Sequence, residues 1–178
     1  MLAQTSYTDL FGASAGAQFS DCGRYRYQLW RIWDVDLPKA MCIGLNPSTA
    51  DASRDDPTIR LLKKVLARLG YGGFYMCNLY GWISSKPKDL EHCADPVGDN
   101  DKVMAQVATH CDQVIFCWGN AELAENRTAK IEAQYPQALC FGLSKAGRPV
   151  HPLALMYSGK VNNPELAPVS EADFKSKL

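Results

Sequence analysis

The chain has 178 residues, of which 47% are hydrophobic, and its 19 basic and 19 acidic residues give a formal charge of zero. A chain of this length is typical of one domain and buries roughly 70% of the surface that its unfolded form exposes. Zero net charge excludes a general positive field that gathers polyanions, so any contact with nucleic acid depends on a local basic patch.

The seven cysteines are scattered and include no Cys-x-x-Cys pair, and the sequence shows no export leader or long apolar span. These features favour reduced thiols and a cytoplasmic protein that does not enter a membrane. The pairs His92-Cys93 and His110-Cys111 lack the short ligand spacing of zinc sites. We therefore expect no metal and no cofactor.

The sequence predicts a single domain over residues 1–178, in three parts. Residues 1–20 are small and polar without a sustained period, which predicts a loosely held N-terminal arm. Residues 21–158 form the predicted α/β core. Residues 159–178 contain Pro164 and Pro168 and are expected to be a surface tail.

The core begins with a predicted strand over residues 24–33, in which alternation places Tyr25, Tyr27 and Leu29 on one face. A second, apolar strand over residues 40–44 continues directly into a Gly-Leu-Asn-Pro turn that contains Asn46. Because Pro47 restricts the backbone of this turn, the amide of Asn46 is expected to be held firmly at the end of the strand.

The clearest helix signal follows at Asp56-Pro57, where an N-cap residue precedes a proline in the first turn. Apolar residues then recur at helical spacing until Gly70 ends the predicted helix. Residues 81–100 contain prolines and glycine without periodicity and predict a long loop. Two further helices are predicted, from about residue 100 to 110 and from 121 to 134.

Polar residues also follow the three later predicted strands. Asn78 follows residues 73–77, Trp118-Gly119-Asn120 follows residues 114–117, and the segment after residues 138–141 leads to His151. Alternating strands and helices predict an α/β fold, a three-layer α/β/α sandwich around a mainly parallel sheet of four or five strands. Since ligands bind beyond the carboxyl ends of parallel strands, these polar residues predict one binding site.

These motifs resemble those of the mismatch-specific branch of the uracil-DNA glycosylase superfamily. The similar segments are Gly44-Leu45-Asn46-Pro47, Asn78-Leu79, the apolar strand that ends in Trp118-Gly119, and His151-Pro152, in the same order along roughly 110 residues. The resemblance implies a uracil-DNA glycosylase-like fold and water-mediated hydrolysis of an N-glycosidic bond. Its substrate would be a nucleobase in DNA or RNA, or in a free nucleoside or nucleotide.

The resemblance also implies roles for individual residues. Asn46 would hold the attacking water, Asn78 would pair with the edge of the base, and His151 would stabilise the leaving group. Asp51 is a candidate assistant, because a carboxylate accepts a proton better than an amide does; Asp55 and Asp56 are open alternatives for that role. The expected substrate-binding residues also include Pro47, Ser48, Trp118 and Asn120.

A basic patch beside this site would be needed for nucleic acid. The expected nucleic-acid contacts are Lys86, Lys88, Lys145, Arg148 and, as an intercalating side chain, Leu153. Leu153 stands where the superfamily usually has a serine that contacts phosphate, and this departure counts against catalysis.

A second resemblance covers nearly the whole chain. The segments Arg24-Tyr25-Arg26-Tyr27, Asn46-Pro47-Ser48-Thr49-Ala50-Asp51 and Asp55-Asp56-Pro57-Thr58-Ile59-Arg60 are similar to a set of uncharacterised bacterial proteins classed as a domain of unknown function. This resemblance is the more specific of the two, but it implies a family and not an activity.

Several structural explanations compete with the catalytic one. An asparagine before a proline is a frequent turn former, Asn78 could cap a strand end, Asp56 could be only a helix cap, and Trp118 could be only a core residue. Two other function classes therefore stay open. One is a non-catalytic nucleotide- or nucleic-acid-binding module on the same fold, and the other is a small-molecule hydrolase that uses Asp51 or Asp55. The oligomeric state is not predicted.

Overall fold

The computed structural model describes residues 3–10, 12–48, 50–51, 53–120 and 122–169. The strands in this part of the chain are β1 (Ala3–Thr8), β2 (Ser14–Phe19), β3 (Arg26–Ile32), β4 (Lys39–Gly44), β5 (Gly73–Asn78), β6 (Gln113–Phe116), β7 (Leu139–Cys140) and β8 (Ala167–Pro168). The helices are α1 (Pro57–Arg68), α2 (Asn100–Ala108), α3 (Glu125–Gln134) and α4 (Ala154–Tyr157), with short 3-10 helices at Pro87–His92 and Glu122–Ala124.

The strands form one mixed sheet in the order β1-β2-β3-β5-β4-β6-β7-β8. Strands β5, β4, β6 and β7 are neighbours and run parallel, whereas β1, β2, β3 and β8 pair antiparallel with their neighbours. The fold is therefore mixed α/β, but the sheet has eight strands and is mainly antiparallel. Four of the predicted strands form the parallel centre of a wider sheet, and the fifth, over residues 24–33, is β3, which pairs antiparallel with both of its neighbours. Strands β1, β2 and β8 were not anticipated.

The N-terminal segment differs from the predicted loose arm. β1 pairs with β2 along six residues, and β2 pairs with β3, so both strands belong to the sheet. A Cβ on Gly16 would lie 2.2 Å from the ring of Trp30, which means that the ring packs directly against the glycine backbone. Small residues permit this close approach, and they also remove the apolar alternation that predicts a strand.

The C-terminal segment was expected to be a tail from residue 159 onward. Its residues Ala167–Pro168 instead pair antiparallel with β7. A strand of two residues is too short to show an alternation of apolar and polar residues, so the sequence did not predict this edge strand. Residues 170–178 of the expected tail lie outside the described residues.

Apolar residues cover both faces of the sheet. In β4, Ala40 and Cys42 belong to one buried cluster and Met41 and Ile43 to the other, as alternation along a strand requires. Helix α1 packs into the first cluster, whereas α2 and α3 pack into the second. Within the part of the chain that the structure describes, no helix is long and apolar enough to cross a membrane.

Helix α1 begins where the sequence predicts. The Asp56 carboxylate accepts a hydrogen bond from the Ile59 amide at 2.9 Å, which caps the helix, and Pro57 occupies the first turn. Gly70 follows the helix with a φ of 85°, a conformation that favours glycine. The cap fixes the N-terminus of α1 beside the carboxyl end of the parallel strands.

Candidate functional site

A cavity of about 350 Å³ lies at the carboxyl ends of the central parallel strands. Its walls come from the ends of β4 and β5, the turn after β6, the N-terminus of α1 and the loop that carries His151. The lining residues are Arg26, Gly44, Leu45, Asn46, Ser48, Asp56, Thr58, Ile59, Met76, Asn78, Ser84, Ser85, Pro87, Trp118, Gly119, Asn120 and His151. This position agrees with the general rule that open α/β sheets bind ligands beyond their strand ends.

Asn46 is held by its amide nitrogen. Its Nδ2 donates to the carbonyl oxygens of Pro47 at 3.1 Å and Ser84 at 2.8 Å. These bonds orient the side-chain carbonyl, and Oδ1 accepts no hydrogen bond from any residue that the structure describes. Because Asn46 lines the cavity, this free acceptor is available to a water or a ligand donor.

Asn78 is the deepest polar residue of the cavity, with only 1% of its surface exposed. Its Nδ2 is buried without a hydrogen-bond partner among the described residues. A buried amide left unpaired costs about 1–3 kcal/mol. Nδ2 of Asn78 is therefore a donor available to a ligand that enters the cavity.

Gly44 makes room for this amide. A Cβ on Gly44 would lie 2.9 Å from Asn78 Oδ1 and 2.5 Å from Met76 Cε. Gly44 also pairs with Asn78 across the parallel strands β4 and β5. Because Gly44 has no side chain, the Asn78 amide fits beside strand β4 at the carboxyl ends of the two strands.

His151 stands in the cavity wall beside Gly119. Its Nδ1 accepts a hydrogen bond from the Leu153 backbone N–H at 3.3 Å, so the neutral ring carries its proton on Nε2. Burial lowers the pKa of His151 from its ordinary value of 6.5, and the nearby Asp56 carboxylate partly opposes that shift. The imidazole is consequently neutral at pH 7, and its Nε2–H donates to no acceptor among the described residues.

Arg26 reaches the cavity because strand β3 is irregular. Gln18 pairs with Gln28 whereas Phe19 pairs with Arg26, so the strand bulges by one residue at Tyr27. As a result Tyr27 and Leu29 belong to opposite clusters, and the prediction that they share a face was wrong. Bulges re-aim side chains in this way and are common beside active sites.

The Arg26 side chain is 3% exposed and forms no ion pair with any described carboxylate. One guanidinium nitrogen donates to the Ala50 carbonyl, but Nε is buried without a partner. Burial lowers the pKa of Arg26 to about 10, and the Asp56 carboxylate opposes this shift. The group therefore remains a cation at pH 7.

Asp56 is the one carboxylate among the described residues that line the cavity. Its Oδ1 caps α1, and its Oδ2 accepts from the Ser48 hydroxyl at 3.2 Å. The helix-cap explanation is therefore correct, and the same side chain also lies beside the cavity.

Asp51 and Asp55 do not line the cavity. Oδ1 of Asp51 accepts bonds from Ser53 and Arg54 within its own turn, and these bonds lower its pKa. Asp55 pairs with the buried Arg31 at 2.7 Å and with Lys63 at 3.3 Å. Both carboxylates instead hold the segment that precedes α1.

The expected substrate-binding residues divide into two groups. Ser48, Trp118 and Asn120 line the cavity with Asn46 and Asn78, whereas Pro47 is buried next to it. Trp118 is 3% exposed and packs on Phe116 with ring centroids 4.4 Å apart, so it is a core residue with one edge at the cavity. Asn120 Oδ1 accepts from the Ser144 hydroxyl at 2.7 Å.

None of the expected nucleic-acid contacts lines the cavity. Lys86, Lys88 and Lys145 are exposed on the surface. Arg148 pairs with Glu125 at 2.7 Å, and Leu153 packs against the apolar cluster beneath α1. The Leu153 side chain is therefore partly buried against the core and is poorly placed to intercalate between bases.

Arg26 was the main residue that the sequence analysis missed as a pocket residue. Its alternating segment predicted a strand, but alternation alone did not assign the arginine to the cavity. The signal that could have found it is a charged residue between the aromatic residues Tyr25 and Tyr27, at the start of a strand rich in large apolar residues.

A larger cavity, of about 740 Å³, lies between the sheet and α2 and is lined by residues such as Gln28, Trp30, Tyr75 and His110. It lies at the other end of the strands, and none of the buried unpaired polar groups that the structure describes lies in its wall. Among the described residues there is also no group of three or more His, Cys, Asp or Glu side chains that could hold a metal ion. We therefore place the functional site in the smaller cavity.

The described residues form a mixed α/β fold with a polar cavity at the carboxyl ends of its parallel strands. Residues 26–153 match the family model described as a protein of unknown function, DUF1643, and the chain belongs to that family. The matched segment includes every residue that lines the cavity. No curated protein and no solved structure matches the chain. The expected membership of an uncharacterised family is thus confirmed.

Proposed function

We propose that the protein binds a nucleobase in the strand-end cavity and hydrolyses its N-glycosidic bond. The observation that carries the proposal is that Asn46, Asn78 and His151 line one cavity, and each has a hydrogen-bonding atom without a partner in the part of the chain that the structure describes. A cavity of about 350 Å³ lies within the usual size range of small-molecule sites.

Recognition of the base rests on Asn78. A primary amide offers both donors and an acceptor, and this pattern matches the edge of a pyrimidine or purine ring. The edge of Trp118 and the side chain of Met76 supply apolar walls for a planar ring. His151 Nε2–H can donate to a base oxygen and stabilise negative charge that develops there during bond cleavage.

The chemistry needs one held water. In the proposed step, the water oxygen on Asn46 Oδ1 forms a bond to the sugar C1′ while the C1′–N bond breaks and leaves its electron pair on the base. The water loses one proton to Asp56 as the sugar bond forms, and the base nitrogen later takes up one proton from solvent. Asp56 returns its proton to solvent, so the net reaction consumes only water.

The three-layer architecture of uracil-DNA glycosylases belongs to this proposal. Its support is that α1 packs on one face of the sheet, whereas α2 and α3 pack on the other. The parallel strands β5, β4, β6 and β7 would be the shared centre, and the antiparallel strands would be additions specific to this chain.

A non-catalytic binding module is the second candidate, and one observation favours it. Both oxygens of Asp56 already accept hydrogen bonds, one from the end of α1 and one from Ser48, which weakens Asp56 as a base. The third candidate, a hydrolase that uses Asp51 or Asp55, has less support because neither carboxylate lines the cavity.

A base-release assay tests the proposal. The purified protein would be incubated with nucleosides, nucleotides and lesion-bearing single- and double-stranded oligonucleotides, and free base would be quantified. Asn46→Ala should lower release roughly 100-fold, since it removes the group that holds water. The matched control is Asn126→Ala, an exposed asparagine on α3, which should release base at the wild-type rate.

The possible outcomes separate the candidates. Base release that Asn46→Ala leaves unchanged contradicts the proposed role of the cavity. Binding of a nucleobase compound without any release favours the non-catalytic module.

A further inference from the structure

We infer that the cavity contains an anion subsite at Arg26 and that its ligand is a free nucleoside 5′-monophosphate. This inference rests on the proposed function, because it assumes that the cavity recognises a nucleobase. It goes further by naming the charge of the ligand and by separating a free nucleotide from a base within a nucleic acid.

The first argument compares the buried arginines that the structure describes. Arg31 is 5% exposed and pairs with Asp55, and Arg127 is 8% exposed and pairs with Asp101. Arg26 is the most buried, at 3%, and has no ion pair within the described residues. An unpaired buried charge is strongly unfavourable, whereas an anion that enters the cavity would supply the missing partner.

Asp56 does not already fill that role. Its carboxylate is close enough to act on the charge of Arg26, but it lies beyond 4 Å and forms no ion pair with it. Its two oxygens are bonded to the Ile59 amide and the Ser48 hydroxyl. If Asp56 moved toward Arg26, helix α1 would lose the capping hydrogen bond from the Ile59 amide.

A second donor for an anion comes from the start of α1. Pro57 has no N–H, Ile59 donates to the Asp56 side chain, and Arg60 donates to the Asp56 carbonyl. The N–H of Thr58 bonds to no acceptor among the described residues, and Thr58 lines the cavity. Free amides at a helix N-terminus bind phosphate well, so the backbone and Arg26 can act on the same anion.

The surroundings favour a small ligand over a polynucleotide. The chain has zero formal charge, and the lysines expected to contact nucleic acid lie outside the cavity. Leu153, the expected intercalating side chain, packs against the core. Binding to DNA gains most of its strength from many phosphate contacts, whereas Arg26 is the one arginine or lysine among the described residues that line the cavity.

Isothermal titration of the full chain tests the inference. The probes are the common ribo- and deoxyribonucleoside 5′-monophosphates, the matching nucleosides, inorganic phosphate, and single- and double-stranded oligonucleotides. We expect a monophosphate to bind roughly 10- to 100-fold more tightly than its nucleoside, as a charged hydrogen-bond pair implies. Arg26→Met should abolish that preference, and Arg26→Lys should keep part of it.

The wild-type titrations keep the test valid even if Arg26→Met fails to fold. Equal affinity for a nucleoside and its monophosphate would overturn the anion subsite but leave the proposed function standing. Tighter binding of an oligonucleotide than of any monophosphate would overturn the choice of a free nucleotide. Phosphate binding without any binding of nucleosides or nucleotides, or binding of no probe at all, would overturn both the inference and the proposed function.

Discussion

Two buried asparagines offer a matched test of which polar groups serve a ligand and which serve the fold. Asn78 and Asn100 are 1% and 0% exposed, and an alanine substitution makes the same chemical change in each. Asn100 Nδ2 donates to the carbonyl oxygens of Asn78 at 2.7 Å and Leu79 at 3.4 Å, while its Oδ1 is buried without a partner among the described residues. Asn78 Nδ2 donates to no acceptor in that part of the chain. The two variants should therefore change stability differently.

The expected magnitudes follow from these contacts. Asn100→Ala leaves the Asn78 carbonyl unpaired in the interior, which should lower the free energy of unfolding by about 1–3 kcal/mol. The Leu79 carbonyl keeps its bond from Arg127 Nε at 2.7 Å, so only one acceptor is lost. Asn78→Ala removes an amide that was already unpaired, and its stability should lie within about 1 kcal/mol of the wild type or above it.

Urea unfolding followed by tryptophan fluorescence measures both variants, with an unchanged m-value as the sign that the folded and unfolded states are comparable. For a domain of this size, each kcal/mol corresponds to a shift in Tm of roughly 2–4 °C. The base-release and titration assays should show the opposite order, with activity lost in Asn78→Ala and kept in Asn100→Ala. A loss of stability in Asn78→Ala as large as in Asn100→Ala would refute the assignment of Asn78 to a ligand.

Three further predictions concern the walls of the cavity. Gly44→Ala places a Cβ 2.9 Å from Asn78 Oδ1, so titration should show ligand affinity reduced at least about tenfold, with overpacking that costs about 1–3 kcal/mol in urea unfolding. Asp56→Ala should destabilise the protein by about 1 kcal/mol through loss of the helix cap, and NMR titration should show a still lower pKa for His151, because Asp56 raises it. Burial lowers the pKa of His151 in the folded state, so as the pH falls below 6.5 the unfolded chain takes up a proton at His151 before the folded chain does. The free energy of unfolding should therefore decrease as the pH falls, until the pH reaches the folded-state pKa. Urea unfolding at pH 7.5 and 5.5 should show a smaller decrease in His151→Gln than in the wild type.

The parts of the fold that could be predicted carry strong local signals. Helix α1 has a capping aspartate, a first-turn proline and a regular apolar face, and each of these acts within a few residues. Strand β4 has both faces buried, so it appears as a continuous apolar run. The hairpin of β1 and β2 could not be predicted because its residues are small, and its stability depends on Trp30 from a later strand.

The location of the site followed from a rule about parallel strands. Asn46, Asn78, Trp118 and Asn120 each follow the end of a predicted strand, and the structure places all four in one cavity. The rule needs only the strand direction, which the alternation of strands and helices supplies. Arg26 obeys no such rule, because a bulge that depends on pairing with β2 decides which way it points.

The acidic segment before α1 shows why residue type alone could not choose the base. Asp51, Asp55 and Asp56 lie within six positions, and the sequence gives each the same carboxylate. The structure separates them by their partners: Asp51 closes a turn, Asp55 neutralises Arg31, and Asp56 caps α1 beside the cavity. Because the first two carboxylates are used elsewhere, the cavity keeps one guanidinium and one carboxylate that do not pair with each other. A ligand phosphate at Arg26 would pair with the guanidinium and leave the bonds of Asp56 to Ile59 and Ser48 in place, and the Arg26 and Asp56 variants test these two groups separately.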